Sequence, residues 1–216
     1  MRNRVNNRLR RQLRVVSVIT ALVIAGACRA QSLADGALVQ ALRQGGYVLV
    51  MRHASSPEAL PDKSIAQPDN IKLERQLDQI GRDTTREMGN SIRRLKIPIA
   101  HIESSPTYRA LQTIKLQGLG EPKVVPALGF GRPDSSADED AKQFAWLRRR
   151  VTVVPRAGTN TLLVTHAPNI SGAFGQNAAD IEHGGSLLFH PDGKGAAPLV
   201  ARIKIEEWTR MAVAAH

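Results

Sequence analysis

The strongest constraint on the fold comes from two short apolar runs that each lead into a histidine. The first is Tyr47–Met51 (YVLVM), followed directly by Arg52 and His53, and the second is Thr161–Thr165 (TLLVT), followed by His166. Neither run alternates apolar and polar residues, which is typical of strands buried on both faces of a parallel sheet. Such a sheet needs helices to cover its faces, so the sequence predicts an α/β protein.

The rest of the chain alternates between helical and extended patterns. Apolar residues at helical spacing, closed by glycine or proline, predict helices at Ser32–Gln44, Gly81–Leu95, Tyr108–Leu119, Asp138–Arg150 and a short one from Pro168. Further strands are predicted at Ile99–Glu103, Val124–Val125, Ser186–His190 and Leu199–Ile205. Residues 129–139, rich in Gly, Pro, Ser and Asp, are a candidate flap. This order predicts a three-layer α/β/α sandwich with a mainly parallel central sheet.

The first 30 residues have the pattern of a secretory signal. Residues 1–14 hold six arginines and no acid, and Val15–Ala27 is an apolar run of 13 residues. A membrane-spanning helix needs about 20 apolar residues, so this run predicts a signal peptide and no stable membrane span. We expect cleavage after Ala27 or Ala30, export to the periplasm or medium, and a single domain over residues 31–216.

Two alternative export signals overlap this segment. Cys28 follows Ala-Gly-Ala, which weakly resembles a lipoprotein signal and would place a lipid on its thiol. Arg10-Arg11 resembles a twin-arginine signal. Cys28 is the one cysteine of the chain, so the segment 31–216 has no disulfide and no thiolate metal site.

Most of the net positive charge lies in the same segment. Seven of the arginines lie in residues 1–30, and removing their charge from the formal +11 leaves +4 for the remainder. Net charge therefore gives no reason to predict a nucleic-acid partner for residues 31–216.

Three of the predicted strands end near side chains that can bind an anion. Arg52 and His53 follow the first strand, Arg109 follows Ile99–Glu103, and His166 follows the strand at residues 161–165. Ligands of open α/β sheets bind beyond the carboxyl ends of the strands, so these side chains converge if the strands are parallel neighbours. Two guanidinium groups and two imidazoles suit a phosphate dianion, and a neutral imidazole nitrogen can attack phosphorus.

A metal site is not predicted at these histidines. Neither His53 nor His166 has a carboxylate or a second histidine at helical spacing, which is the usual arrangement of a local metal-binding motif. The pocket's own cations can balance the charge of a phosphate, so no cofactor is expected.

Four segments resemble the motifs of the histidine phosphatase superfamily, which has the phosphoglycerate mutase-like fold. The stretch 51–54 (MRHA) is similar to its first motif, 104–110 (SSPTYRA) to its second, and 164–167 (VTHA) to its third. Arg75-Gln76-Leu77 with Gly81 resembles the segment that opens its first large helix. The matches keep the family's order and spacing over roughly residues 40–190.

The resemblance implies roles for the pocket residues. His53 would be the nucleophile that becomes phosphorylated, while Arg52, Arg109 and His166 would hold the phosphoryl oxygens. His166 would also help to stabilise the transition state.

The proton donor for the leaving alcohol is where the chain departs from the family pattern. Some relatives have a glutamate near positions 184–185, where this chain has two glycines. Glu182 is the first candidate, and Asp134 is the second.

Two functions follow as expectations. The first is an exported phosphoric monoester hydrolase of the compact branch of the family, which lacks a large inserted cap domain. Its partner would be a small phosphorylated substrate or an envelope sugar phosphate. The alternative is a weakly active or inactive protein that binds an anionic ligand in the phosphate pocket. The sequence makes no prediction of the oligomeric state.

Overall fold

The computed structural model describes residues 34–57, 74–129, 136–178 and 180–215. The chain divides into two compact units, Met1–Leu38 and Val39–His216, and the described part of the first is residues 34–38. The predicted signal peptide with Cys28, the residue Asp134 and most of the predicted flap lie outside the described residues.

Six helices and six strands make up the described chain. The helices are α1 Ala34–Gln44, α2 Gln79–Arg94, α3 Tyr108–Gln117, α4 Ala137–Arg150, α5 Ala167–Phe174 and α6 Glu207–Ala214. The strands are β1 Val48–Arg52, β2 Ile99–Ser104, β3 Lys123–Val124, β4 Asn160–Thr165, β5 Ser186–Phe189 and β6 Leu199–Ile203. Two 3₁₀ turns lie at Pro126–Leu128 and Gly175–Ala178. In the part of the chain covered here, no helix has the length and apolar content to cross a membrane.

The strands form one mixed sheet in the order β3-β2-β4-β1-β5-β6. Strands β3, β2, β4 and β1 pair in parallel, whereas β5 runs antiparallel to both of its neighbours, β1 and β6. The predicted three-layer, mainly parallel α/β fold is therefore confirmed. The reversal at β5 places its amino end beside the carboxyl end of β1, where Met51 pairs with Ser186.

Helices cover both faces of the sheet because β1 is apolar on both faces. Val48 and Val50 belong to a buried cluster with Leu147 of α4 and Ile170 of α5. Successive side chains of a strand point to opposite faces, so Met51 lies on the other side. There its sulfur accepts a 3.2 Å hydrogen bond from Gln117 Nε2 of α3. The helices α2, α3 and α6 pack together on this second face.

The element predictions hold for the described residues, with one omission. Helix α6 was not predicted, although Trp208, Met211 and Ala212 have helical spacing and are buried. Eight residues are too few for a helix to be stable alone, and most helical stability comes from tertiary packing. Here that packing is against α2.

Helices α2 and α3 cross at a glycine. A Cβ atom added to Gly89 of α2 would overlap the carbonyl oxygen of Gln117, the last residue of α3. Arg93, one turn further along α2, donates to the same oxygen at 2.7 Å. This close approach fixes α3, which carries Arg109 at its second position.

We predict that Gly89→Ala lowers the free energy of unfolding by about 1–3 kcal/mol, because the added methyl group meets backbone atoms that cannot move independently. In a helix, alanine is normally more favourable than glycine by about 1 kcal/mol. Helix propensity alone would therefore predict that Gly89→Ala stabilises the fold, the opposite of the change expected here. The measurement is denaturant unfolding. The control is Gly36→Ala in α1, where an added Cβ has open space. Equal stability changes for the two variants would contradict the proposed backbone contact.

Candidate active site

The carboxyl ends of β1, β4 and β2 lie side by side. Strand β4 is the central one of the three, with Arg52 of β1 paired to Thr165 and Ser104 of β2 paired to Val164. The main chain continues this pairing beyond the strands, since the His53 amide donates to the Thr165 carbonyl at 3.0 Å. The residues that follow the three strands therefore share one edge of the sheet, as predicted.

His53 is buried and presents one ring nitrogen to the site. Its Nδ1 lies 2.8 Å from the carbonyl oxygen of Ala54, which can only accept, so Nδ1 carries the proton of the neutral ring. Its Nε2 is then unprotonated and lies 3.3 Å from Arg109 Nε, a donor. The backbone contact thus selects the tautomer that leaves a lone pair on Nε2.

His166 is buried beside it in the complementary tautomer. Its Nδ1 lies 3.3 Å from Arg109 Nη2, and a guanidinium has no acceptor, so Nδ1 accepts. Its Nε2 therefore carries the proton and donates to Ser105 Oγ at 2.8 Å. The ring centroids of His53 and His166 lie 5.1 Å apart at an interplanar angle of 66°. Arg109 therefore contacts both imidazoles at once.

Arg52 lies on the other side of His53. Its Nη1 donates to the carbonyl oxygen of Ile181 at 2.9 Å, and its Nη2 lies 2.7 Å from Nε2 of His183. The His183 ring is also close to His53, with centroids 5.6 Å apart. Two arginines therefore flank the candidate nucleophile.

Burial keeps both central histidines neutral at pH 7. The pKa of His53 is well below its ordinary value, chiefly because burial disfavours the charged ring; the hydrogen bond to Ala54 opposes this effect, and repulsion from Arg109 and Arg52 adds to it. The pKa of His166 is lowered for the same first reason. Repulsion from His53, Arg109, Arg75 and Arg52 lowers it further. An unprotonated imidazole is the form that can act as a nucleophile.

Two helices begin at the site. Thr107 is the N-cap of α3, and His166 is the N-cap of α5, so the amino ends of both helices lie here. Unpaired N–H groups and the helix dipole favour negative charge at such ends. Thr113 of α3 ties this region to the first motif, since its Oγ1 accepts from the Ala54 amide at 3.2 Å. The arrangement is suited to an oxyanion.

The structure brings together Arg52, His53, Arg109 and His166, the four residues predicted to bind phosphate. It does not bring Glu182 to them: the Glu182 carboxylate lies 3.0 Å from Lys204 Nζ, and both side chains are more than half exposed. The role of Glu182 as a proton donor stays a prediction, and this ion pair does not support it. Asp134 is outside the described residues.

The sequence predictions assigned no role to His183, Ser105 or Thr107. Ser105 and Thr107 lie within the second motif, and their hydroxyls lie 2.8 and 3.4 Å from His166 Nε2. His183 precedes β5, which was expected to be a strand of a mainly parallel sheet. Had β5 been recognised as antiparallel to β1, the position of His183 beside Arg52 would have followed.

Among the described residues, no group of three or more His, Cys, Asp or Glu side chains is arranged to hold a metal ion.

Comparisons with known proteins identify the fold. No protein-family model matches the sequence, and a comparison with curated proteins finds no match. The structure of the protein histidine phosphatase SixA complexed with tungstate is similar over 74% of this chain and 98% of its own, with 20% sequence identity and a TM-score of 0.53. A phosphoserine phosphatase mutant from Entamoeba histolytica, in complex with phosphoserine, covers 74% of this chain and 98% of its own at 14% identity and a TM-score of 0.48. The similarity to SixA confirms the predicted three-layer α/β fold.

The lowered pKa values of His53 and His166 predict how stability depends on pH. Both rings bind protons less readily in the folded than in the unfolded chain, so the free energy of unfolding falls as pH drops below about 6.5. The largest slope is about 1.4 kcal/mol per pH unit for each ring. Denaturant unfolding between about pH 7 and pH 5.5 measures it.

The matched variant is His53→Asn with His166→Gln. These side chains can still donate to Ala54 O and Ser105 Oγ but do not titrate. We expect a shallower pH dependence in this double variant. An unchanged slope would show that the two imidazoles do not cause the wild-type dependence.

Proposed function

We propose that this chain is an exported phosphatase that hydrolyses phosphomonoesters through a phosphohistidine intermediate on His53. The observation that carries the proposal is the double contact of Arg109 with the unprotonated Nε2 of His53 and with Nδ1 of His166. A cation fixed beside a neutral imidazole nucleophile is what phosphoryl transfer to that nitrogen requires.

In the first step His53 Nε2 attacks phosphorus. The N–P bond forms, the bond from phosphorus to the ester oxygen breaks, and the leaving alkoxide takes a proton from a general acid. In the second step water attacks the phosphohistidine and gives a proton back to that acid's conjugate base. The N–P bond breaks, inorganic phosphate is released, and the neutral imidazole is restored. Dividing the hydrolysis in this way replaces one difficult step by two easier ones.

The remaining pocket residues stabilise charge on the transferring group. Negative charge lies on the three non-bridging phosphoryl oxygens in the transition state, and catalysis depends mainly on positioning and electrostatic stabilisation. Arg52 and Arg109 supply guanidinium donors, and the amino ends of α3 and α5 supply main-chain donors. His166 can donate from Nε2 once a phosphoryl oxygen replaces Ser105 Oγ as its acceptor.

The substrate class follows from two further considerations. The name of SixA describes a protein histidine phosphatase, and its structure contains tungstate, an oxyanion. The signal-like residues 1–30 favour substrates outside the cytoplasm, so we include envelope sugar phosphates together with other small phosphomonoesters. A substrate screen should compare these two groups with a phosphorylated histidine peptide.

We predict that His53→Ala abolishes hydrolysis of p-nitrophenyl phosphate and formation of an acid-labile phosphoenzyme, because it removes the attacking nitrogen. The assay needs no added metal. The matched control is His101→Ala, which replaces a half-exposed histidine of β2 that pairs with Glu103. If the His53→Ala variant still forms an acid-labile phosphoenzyme, His53 is excluded as the nucleophile.

The same assay separates the enzyme from a phosphate-binding protein. The latter alternative is favoured by one observation, the ion pair of Glu182 with Lys204 away from the histidines. Turnover by the wild type supports the phosphatase. Vanadate binding by a wild type that shows neither turnover nor phosphoenzyme would support the binding protein.

We predict that the dependence of activity on the leaving group of the substrate identifies the proton donor. A variant lacking the donor should lose activity on an alkyl phosphate far more than on p-nitrophenyl phosphate, whose leaving group needs no proton. General acid catalysis raises the rate by roughly a hundredfold or more, which sets the size of the expected loss. The variants are Glu182→Gln and Asp134→Asn, with Glu207→Gln as a control on a carboxylate that pairs with Arg210. Equal ratios in all three variants would exclude both candidates.

A further inference from the structure

The residues just before β5 form a loop that is hydrogen-bonded to the end of β1. We call Ile181–Gly185 the β5 loop. The Arg52 amide donates to Gly185 O at 3.0 Å, and the Gly184 amide lies 3.2 Å from Arg52 O and 3.1 Å from His53 O. These main-chain contacts fix the loop relative to the first motif.

The same loop also contacts both terminal nitrogens of the Arg52 guanidinium. Nη1 donates to Ile181 O at 2.9 Å, and Nη2 lies 2.7 Å from His183 Nε2. Every polar hydrogen of a guanidinium is a donor, so His183 Nε2 must be the acceptor and must be unprotonated. Two acceptors at these positions determine the direction of the guanidinium plane.

We propose that His183 is a positioning residue that orients Arg52 toward the phosphoryl group, and this proposal rests on the phosphate pocket proposed above. An arginine side chain has several rotatable bonds, and its planar donors bind phosphate well only in the correct orientation. Donors held in place before the substrate arrives need no reorganisation during the reaction. His183 supplies this constraint through its ring nitrogen.

A role as proton donor fits the contacts less well. The nitrogen of His183 that lies closest to Arg52 accepts a hydrogen bond, and protonating it would both remove that bond and place two cations together. Arg52 and His53, both at the end of β1, lie close to the His183 ring.

The test compares two substitutions of His183 in the full-length chain. His183→Leu removes the acceptor, whereas His183→Gln places an amide oxygen near the position of Nε2. We expect His183→Leu to weaken inhibition by vanadate and to raise KM for p-nitrophenyl phosphate, each by roughly tenfold. His183→Gln should restore most of the affinity. Thermal unfolding of each variant shows whether it folds, and His101→Gln is the control for a change at a half-exposed histidine.

A double-mutant cycle shows whether the effect passes through Arg52. If it does, His183→Leu changes vanadate inhibition little in an Arg52→Ala background, because the side chain that it positions is gone. Additive effects of the two substitutions would overturn the proposal. So would a loss of affinity that is equal in the folded leucine and glutamine variants.

Two other outcomes would overturn different parts of the proposal. If His183→Leu leaves vanadate inhibition unchanged but lowers kcat selectively for alkyl phosphates, His183 is a proton donor and the positioning role is wrong. If the wild type neither binds vanadate nor hydrolyses p-nitrophenyl phosphate, the proposed function fails, and the inference about His183 fails with it.

Discussion

The parallel pairing of β1 with β4 is the constraint on which the candidate site depends. It sets Arg52 beside Thr165 and, through the His53 amide, holds the first histidine against the end of the second strand. His166 follows Thr165 directly, so the pairing of the two strands brings the two imidazoles together. The continuous apolar character of β1 keeps it central, because both of its faces must be covered.

Electrostatics then determine what this edge of the sheet can bind. The site combines two neutral, buried histidines with two arginines and two helix amino ends, so its field favours an anion. The same burial that keeps His53 unprotonated makes the folded chain sensitive to acid. Nucleophilicity and acid lability thus have one physical cause, the cost of placing charge on a desolvated imidazole.

The mixed character of the sheet has a functional consequence. Because β5 runs against β1, the loop that precedes it reaches the same edge as the ends of the parallel strands. That loop contributes the acceptors for the Arg52 guanidinium, the Ile181 carbonyl and His183 Nε2. Its neighbouring carboxylate, Glu182, points instead to Lys204. His183 and Glu182 are therefore neighbours in the chain, but the side chain of His183 lies at the site and that of Glu182 lies at the surface.

The sequence alone determined the α/β class, all but one of the helices and strands found, and the four residues that meet in the pocket. These depend on local signals: apolar runs, helical spacing and motifs at strand ends. The tertiary structure decided the direction of β5, the formation of α6, the position of His183 and the ion pair of Glu182. Strand direction and side-chain pairing arise from contacts between residues far apart in the chain, such as Met51 with Ser186 and Arg52 with His183, and no local pattern encodes them.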